Sequence, residues 1–173
     1  MKKIFVLVAA SFFAVSVFAQ FEQGKQRIGG STNLEFSNIK SKGADYSTNK
    51  FFVGIGYGYF AANNLSTDVE LEFASIKDSD EDNGEASFDF GFGARYYFPS
   101  KVFAGASFSL LSIKYGDEWR AGSGIKLKLG YAGTLNDHIV LEPSICYRLG
   151  LSNEEKYTQF NGLTIQIGFS FLF

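Results

Sequence analysis

Between residues 27 and 173, apolar and polar positions alternate with a period of two in eight separate stretches. That spacing places successive side chains on opposite faces of an extended chain, so each stretch predicts a β-strand. In 27–38, Ile28, Thr32, Leu34 and Phe36 oppose Arg27, Gly29, Ser31, Asn33 and Glu35. In 50–61, Phe51, Val53, Ile55, Tyr57 and Tyr59 oppose Gly54, Gly56 and Gly58. The third stretch sets Leu65, Val69, Leu71 and Phe73 against Ser66, Asp68, Glu70 and Glu72, and the fourth sets Phe88, Phe90, Phe92 and Tyr96 against Asp89, Gly91, Gly93 and Arg95. The fifth is less regular, with Val102, Ala104, Ala106, Phe108 and Leu110 opposing Gly105, Ser107 and Ser109. In the sixth, Ile125, Leu127, Leu129 and Tyr131 oppose Lys126, Lys128 and Gly130. In the seventh, Ile139, Leu141, Ile145, Tyr147 and Leu149 oppose Glu142, Ser144, Cys146 and Arg148. The eighth runs to the last residue, with Leu163, Ile165, Ile167, Phe169, Phe171 and Phe173 opposing Thr164, Gln166, Gly168 and Ser170.

The connections alternate in length. Asn63-Asn64, Pro99-Ser100 and residues 135–138 read as short turns, whereas 39–49, 78–85, 115–121 and 152–161 read as longer loops. No stretch has helical periodicity. None beyond residue 20 has the roughly 18 consecutive apolar residues of a spanning helix. The pattern therefore predicts an all-β chain: an eight-stranded antiparallel up-and-down barrel in one domain.

Alternation does not say which face is inside. A soluble lipocalin-like carrier turns its apolar face inward, and a transmembrane barrel turns it out toward lipid. Three features of the sequence favour the membrane. The polar face is rich in Gly and Ser, as a narrow eight-stranded interior requires. Its charges nearly balance, with Arg27, Arg95, Lys126, Lys128 and Arg148 against Glu35, Asp68, Glu70, Glu72, Asp89 and Glu142. Enclosed together they can pair, and Glu70 and Glu72 are expected to meet Lys126, Lys128, Arg95 or Arg148. Aromatic residues also sit near the strand ends of the apolar face, at Tyr57, Tyr59, Phe73, Tyr96, Tyr131, Tyr147 and Phe171, where interfacial girdles belong.

Residues 1–19 read as a secretory signal peptide, leaving 20–173 as the barrel domain. Lys2 and Lys3 are the basic start, Ile4 to Ala14 the apolar core, and Val17 and Ala19 the small residues before cleavage between Ala19 and Gln20. Without Lys2 and Lys3 the net charge of −2 becomes −4, so nothing points to nucleic acid. The single Cys, Cys146, excludes an internal disulfide and reads as a small buried residue.

On strand count, the alternation of turns and loops, and the terminal Phe173, the chain resembles the small eight-stranded outer-membrane barrels of the OmpX and OmpA type. The resemblance spans roughly residues 27–173. It implies an outer-membrane location, with termini and short turns toward the periplasm and the four longer loops outside. It also implies recognition of the last strand, ending at Phe173, by the barrel-assembly machinery. Outer-membrane lipid and lipopolysaccharide would surround the barrel, and extracellular proteins would be possible partners of its loops. A lone barrel is expected, without the peptidoglycan-binding tail of OmpA-like proteins.

No residues stand out as a catalytic, cofactor or metal site. The one histidine, His138, lies in a turn on the expected periplasmic side, away from outer-leaflet lipid, and Ser144 should face the lumen. The acidic run from Asp78 to Gly84 offers oxygen ligands but lacks the spacing of an EF-hand loop, so it reads as a solvated loop with at most weak affinity for divalent cations. Gly54, Gly56 and Gly58 have the wrong spacing for nucleotide binding and read as lumen packing. The leading expectation is a non-enzymatic barrel with a structural or surface-interaction role and a charge-filled lumen unlike that of a porin. The alternatives are a small channel or transporter and the soluble carrier.

Overall fold

The computed structural model describes residues 21–41, 44–76, 85–115, 118–151 and 162–173. The strands are β1 (Gln26–Ser41), β2 (Ala44–Ala62), β3 (Leu65–Ile76), β4 (Glu85–Tyr97), β5 (Val102–Tyr115), β6 (Glu118–Tyr131), β7 (Gly133–Thr134), β8 (Ile139–Gly150) and β9 (Gly162–Leu172). Each pairs antiparallel with its neighbours. β7 is a two-residue continuation of β6 past Ala132, and both pair with β8. The nine segments thus make eight staves. β9 returns to β1 along a ladder from Arg27↔Leu172 to Phe36↔Leu163, which closes the barrel. Closure is what hydrocarbon demands, because an unpaired ladder edge would leave N–H and C=O groups without partners.

The outward face is the apolar one. Ile55, Phe92 and Leu129 are 58%, 59% and 57% exposed, and every stave contributes to the same belt. So large a continuous apolar surface is incompatible with a water-facing barrel. The inward-apolar arrangement of the soluble carrier is therefore not the one adopted. Aromatic pairs mark both rims: Tyr96 meets Phe98 edge-on at 5.0 Å on the turn side, and Phe73 meets Phe88 at 5.1 Å on the other.

The three short turns lie at one end, together with Gln26 and Phe173. Asn64 adopts φ 65°, a left-handed conformation that Asn tolerates in a two-residue hairpin turn. Lys101, at φ 64°, closes the next turn, its N–H donating to Phe98 O at 2.9 Å. In the third, Asn136 Oδ1 accepts from the N–H groups of His138 and Ile139 at 2.9 and 2.8 Å, the local bonding for which Asn is favoured in turns.

Two of the expected loops are largely strand. In the expected loop 39–49, β1 runs to Ser41 and β2 starts at Ala44. In the expected loop 115–121, β5 runs to Tyr115 and β6 starts at Glu118. At Trp119, Arg120 and Ala121 both faces of the strand are exposed, so the apolar–polar alternation that reveals a strand in lipid is lost while the ladder continues. Of the loops expected at 78–85 and 152–161, only Glu85 is described, as the first residue of β4. The rest lies outside the described residues.

Candidate functional site: the lumen and its closures

The inward positions of β3 carry Asp68, Glu70 and Glu72 at a spacing of two, which stacks three carboxylates along the barrel axis. Cations reach them from across the lumen. Arg27 Nη2 donates to Asp68 Oδ1 at 2.7 Å and its Nη1 to Glu142 Oε2 at 2.9 Å. Arg95 Nη2 donates to Glu70 Oε1 at 2.9 Å and Nη1 to Glu142 Oε1 at 3.3 Å, with Nε 3.4 Å from Asp68 Oδ2. Lys128 Nζ donates to both oxygens of Glu70, at 2.8 and 3.1 Å. One layer up, Lys126 Nζ donates to Glu72 Oε2 at 2.7 Å and lies 3.2 Å from Asp89 Oδ1. Arg148 donates to Asp89 and lies 3.7 Å from Glu72. Five cations and five carboxylates interleave, so each buried charge faces opposite charges, the arrangement that offsets its desolvation.

Room for these long side chains comes from the facing glycines. A Cβ on Gly58 would run into Asp68 Oδ1 and Arg27 Nε, so only glycine admits that pair. At Gly54 a Cβ would sit 2.7 Å from Ser31 Oγ and 3.2 Å from Glu72 Cγ. The glycines are lumen packing, as their spacing predicted.

Buried apolar residues lie at either end of the network, and on the turn side they pack into a cluster. On the turn side Phe60, Tyr97, Phe103, Ala132, Val140 and Leu172 form one fully buried cluster. It is tied to the charges above it: Tyr97 O–H donates to Glu142 Oε1 at 2.9 Å, and the Arg95 guanidinium lies 4.8 Å over the Phe103 ring. On the loop side Phe52, Leu111 and Ile113 are buried. Between these residues are voids of about 30 Å³, reaching from Arg27 to Glu72, and about 20 Å³, beside Arg95 and Lys126. Each has room for a water molecule or two.

The structure places the other candidates as follows. Glu70 meets Arg95 and Lys128, and Glu72 meets Lys126 and Arg148. His138 is exposed in the turn, its Nδ1 3.0 Å from Leu172 O, whereas Ser144 is buried in the lumen. No hydrogen bond among the described residues joins them. Cys146 is buried and free. The acidic run 78–84 lies outside the described residues, and among those described no cluster of His, Cys, Asp or Glu is arranged for a metal. The turn-side apolar cluster escaped the reading of the sequence altogether.

Residues 5–173 match the family model described as the outer membrane protein beta-barrel domain. The chain belongs to this family. It is an outer-membrane protein, and its fold is that of solved barrels from the same setting. Neisserial surface protein A is 20% identical with a TM-score of 0.61, the match covering 86% of this chain and 97% of that one. The N-terminal barrel domain of Pseudomonas aeruginosa OprF is 15% identical with a TM-score of 0.58, covering 87% and 98%. Ail, the attachment invasion locus protein of Yersinia pestis, is 16% identical with a TM-score of 0.52, covering 87% and 99%. No curated protein matches the chain.

Proposed function

We propose that this outer-membrane barrel is a non-enzymatic surface-interaction protein whose β1–β2 ribbon meets anionic polysaccharide outside the cell. The observation that carries the reading is the register of that ribbon. Among the described residues β1 pairs with β9 as far as Phe36 and β2 with β3 from Lys50, and β1 and β2 continue together from Ser37↔Thr48 to Ser41↔Ala44. Five further pairs at about 3.4 Å each extend the β1–β2 ladder roughly 17 Å beyond Phe36. Its sequence between residues 37 and 50 holds Lys40, Lys42 and Lys50 against Asp45, a basic segment in a net acidic chain. Two proteins of similar fold lend support: one is named as a surface protein, and Ail has been solved with the heparin analogue sucrose octasulfate. Catalysis has no part in this reading, since His138 stands at the turn end, held to the Leu172 carbonyl. Assembly would use β9, whose Phe169, Phe171 and Phe173 all face outward.

The test replaces residues 38–47 by a two-residue Asn-Gly turn. Cells displaying the shortened protein are expected to lose retention on immobilised heparin, while the barrel keeps its mobility shift between boiled and unboiled samples. Equal retention of both forms would refute the ribbon as the binding element.

The two water-sized voids favour a second reading, a narrow ion path. The packed apolar cluster at the turn-side end weighs against it, and purified protein is expected to be silent in planar bilayers. Discrete conductance steps at low protein load would reverse that ranking.

A further inference from the structure

We infer that residues 21–25, ahead of the first strand, are a plug that seals the turn-side mouth of the barrel and keeps water from the buried charges. β1 begins at Gln26 and has its ladder without them, and a terminal segment ordinarily frays. Here it is tied across the mouth to the β2–β3 hairpin. Asn64 N donates to Phe21 O at 2.7 Å, Gln23 N to Asn63 Oδ1 at 2.9 Å, and Gly24 N to Phe60 O at 2.9 Å. Phe60 N donates to Lys25 O at 2.9 Å. Gly24 has φ +91°, the left-handed conformation in which the chain turns from the mouth toward β1.

These bonds hold the Phe21 ring stacked on Tyr97, with centroids 4.1 Å apart and planes 18° from parallel, and 5.7 Å from Phe60. Phe21, itself partly buried, thus packs against the buried turn-side cluster from outside. The next step inward is polar: Tyr97 O–H donates to Glu142, which also accepts from Arg27 and Arg95. A mouth left open would bring water to this layer, raise the local dielectric and weaken its ion pairs. The plug therefore acts on the network through the Tyr97 ring, at the boundary where apolar packing meets charge.

Ser66 provides the reporter, being fully buried with its hydroxyl donating to Asp68 Oδ2 at 3.1 Å. The full chain carrying S66C and C146S has one thiol, behind the plug. Folded in lipid vesicles and treated with a charged, water-soluble methanethiosulfonate, it is expected to react slowly. Adding F21A should speed labelling about tenfold or more, because local opening then governs access. Adding N63A, which removes one tether and leaves the ring, should give a smaller rise. Adding I113A, at a buried position on the loop side of the lumen, should change the rate by less than about twofold. The inference is overturned if F21A and N63A both stay within about twofold of the parent, or if I113A matches F21A. Should F21A lose its heat-dependent gel shift, N63A decides alone. The wild-type chain gives an independent reading by hydrogen exchange: the amides of Gly24 and Asn64 should be protected like those of β2, and exchange as fast as in an unstructured peptide would also overturn the plug.

Discussion

Replacing Glu142 by alanine is expected to destabilise the barrel by about 3–5 kcal/mol, the cost of leaving buried charge without its partner. Glu142 accepts from Arg27, Arg95, Tyr97 and Ser170. Its loss leaves two guanidiniums sharing Asp68 and Glu70, so the layer passes from balance to an excess of positive charge where little water can enter. Lys128→Met is the contrast. It removes a cation from Glu70, but Glu70 keeps Arg95, so the expected loss is only about 1 kcal/mol. Urea unfolding in lipid vesicles measures both. The Glu142→Ala midpoint should fall by more than about 1 M, and that of Lys128→Met by clearly less. Equal shifts, or a Glu142→Ala midpoint near that of wild type, would mean that solvent reaches the layer and screens it.

Arginine on the outer belt should cost according to depth. Ile55 lies two outward positions in from the rim residue Tyr59 on β2, between Val53 and Tyr57, and its side chain faces outward. Ile55→Arg is expected to lose about 2–4 kcal/mol, and Tyr59→Arg about 0–1 kcal/mol, because a cation at the rim reaches the headgroups whereas one at mid-depth does not. The contrast carries the sign of the surroundings. In a water-facing barrel Ile55→Arg would be harmless and would relieve an apolar patch. Unfolding midpoints in vesicles for the two variants decide the matter, and two small, equal losses would remove the belt from the hydrocarbon.

The belt was legible because lipid imposes an uninterrupted rule on the outer face: positions such as Ile55, Phe92 and Leu129 have no polar option. Among the described side chains, which leave out that of Glu35, the charged lumen positions were legible as the opposite parity, and so was the set of four cations from which Glu70 and Glu72 draw their partners. Which cation meets which carboxylate was not, since that depends on stagger between strands such as β3 and β6, which share no ladder. The turn-side cluster was hidden by the same rule that revealed the belt. Alternation sorts residues by parity and treats an apolar residue at an inward position as noise. Yet Tyr59-Phe60, Tyr96-Tyr97, Val102-Phe103, Ile139-Val140 and Phe171-Leu172 are adjacent apolar pairs, all at the turn-side end, and in each the inward member joins the buried cluster. Five such pairs at one end were a usable signal. The ribbon strands beyond the membrane carried no comparable mark.

The seam between β1 and β9 places Gln26 and Phe173 in mutual backbone contact, each N–H donating to the other's carbonyl at 2.8 and 3.0 Å. Ends that meet so closely make the order of the staves arbitrary as far as the folded barrel is concerned. A circular permutant that joins Phe173 to Phe21 through a linker and opens the chain between β5 and β6 would retain every stave and every lumen pair, and is expected to refold in detergent from urea like the parent.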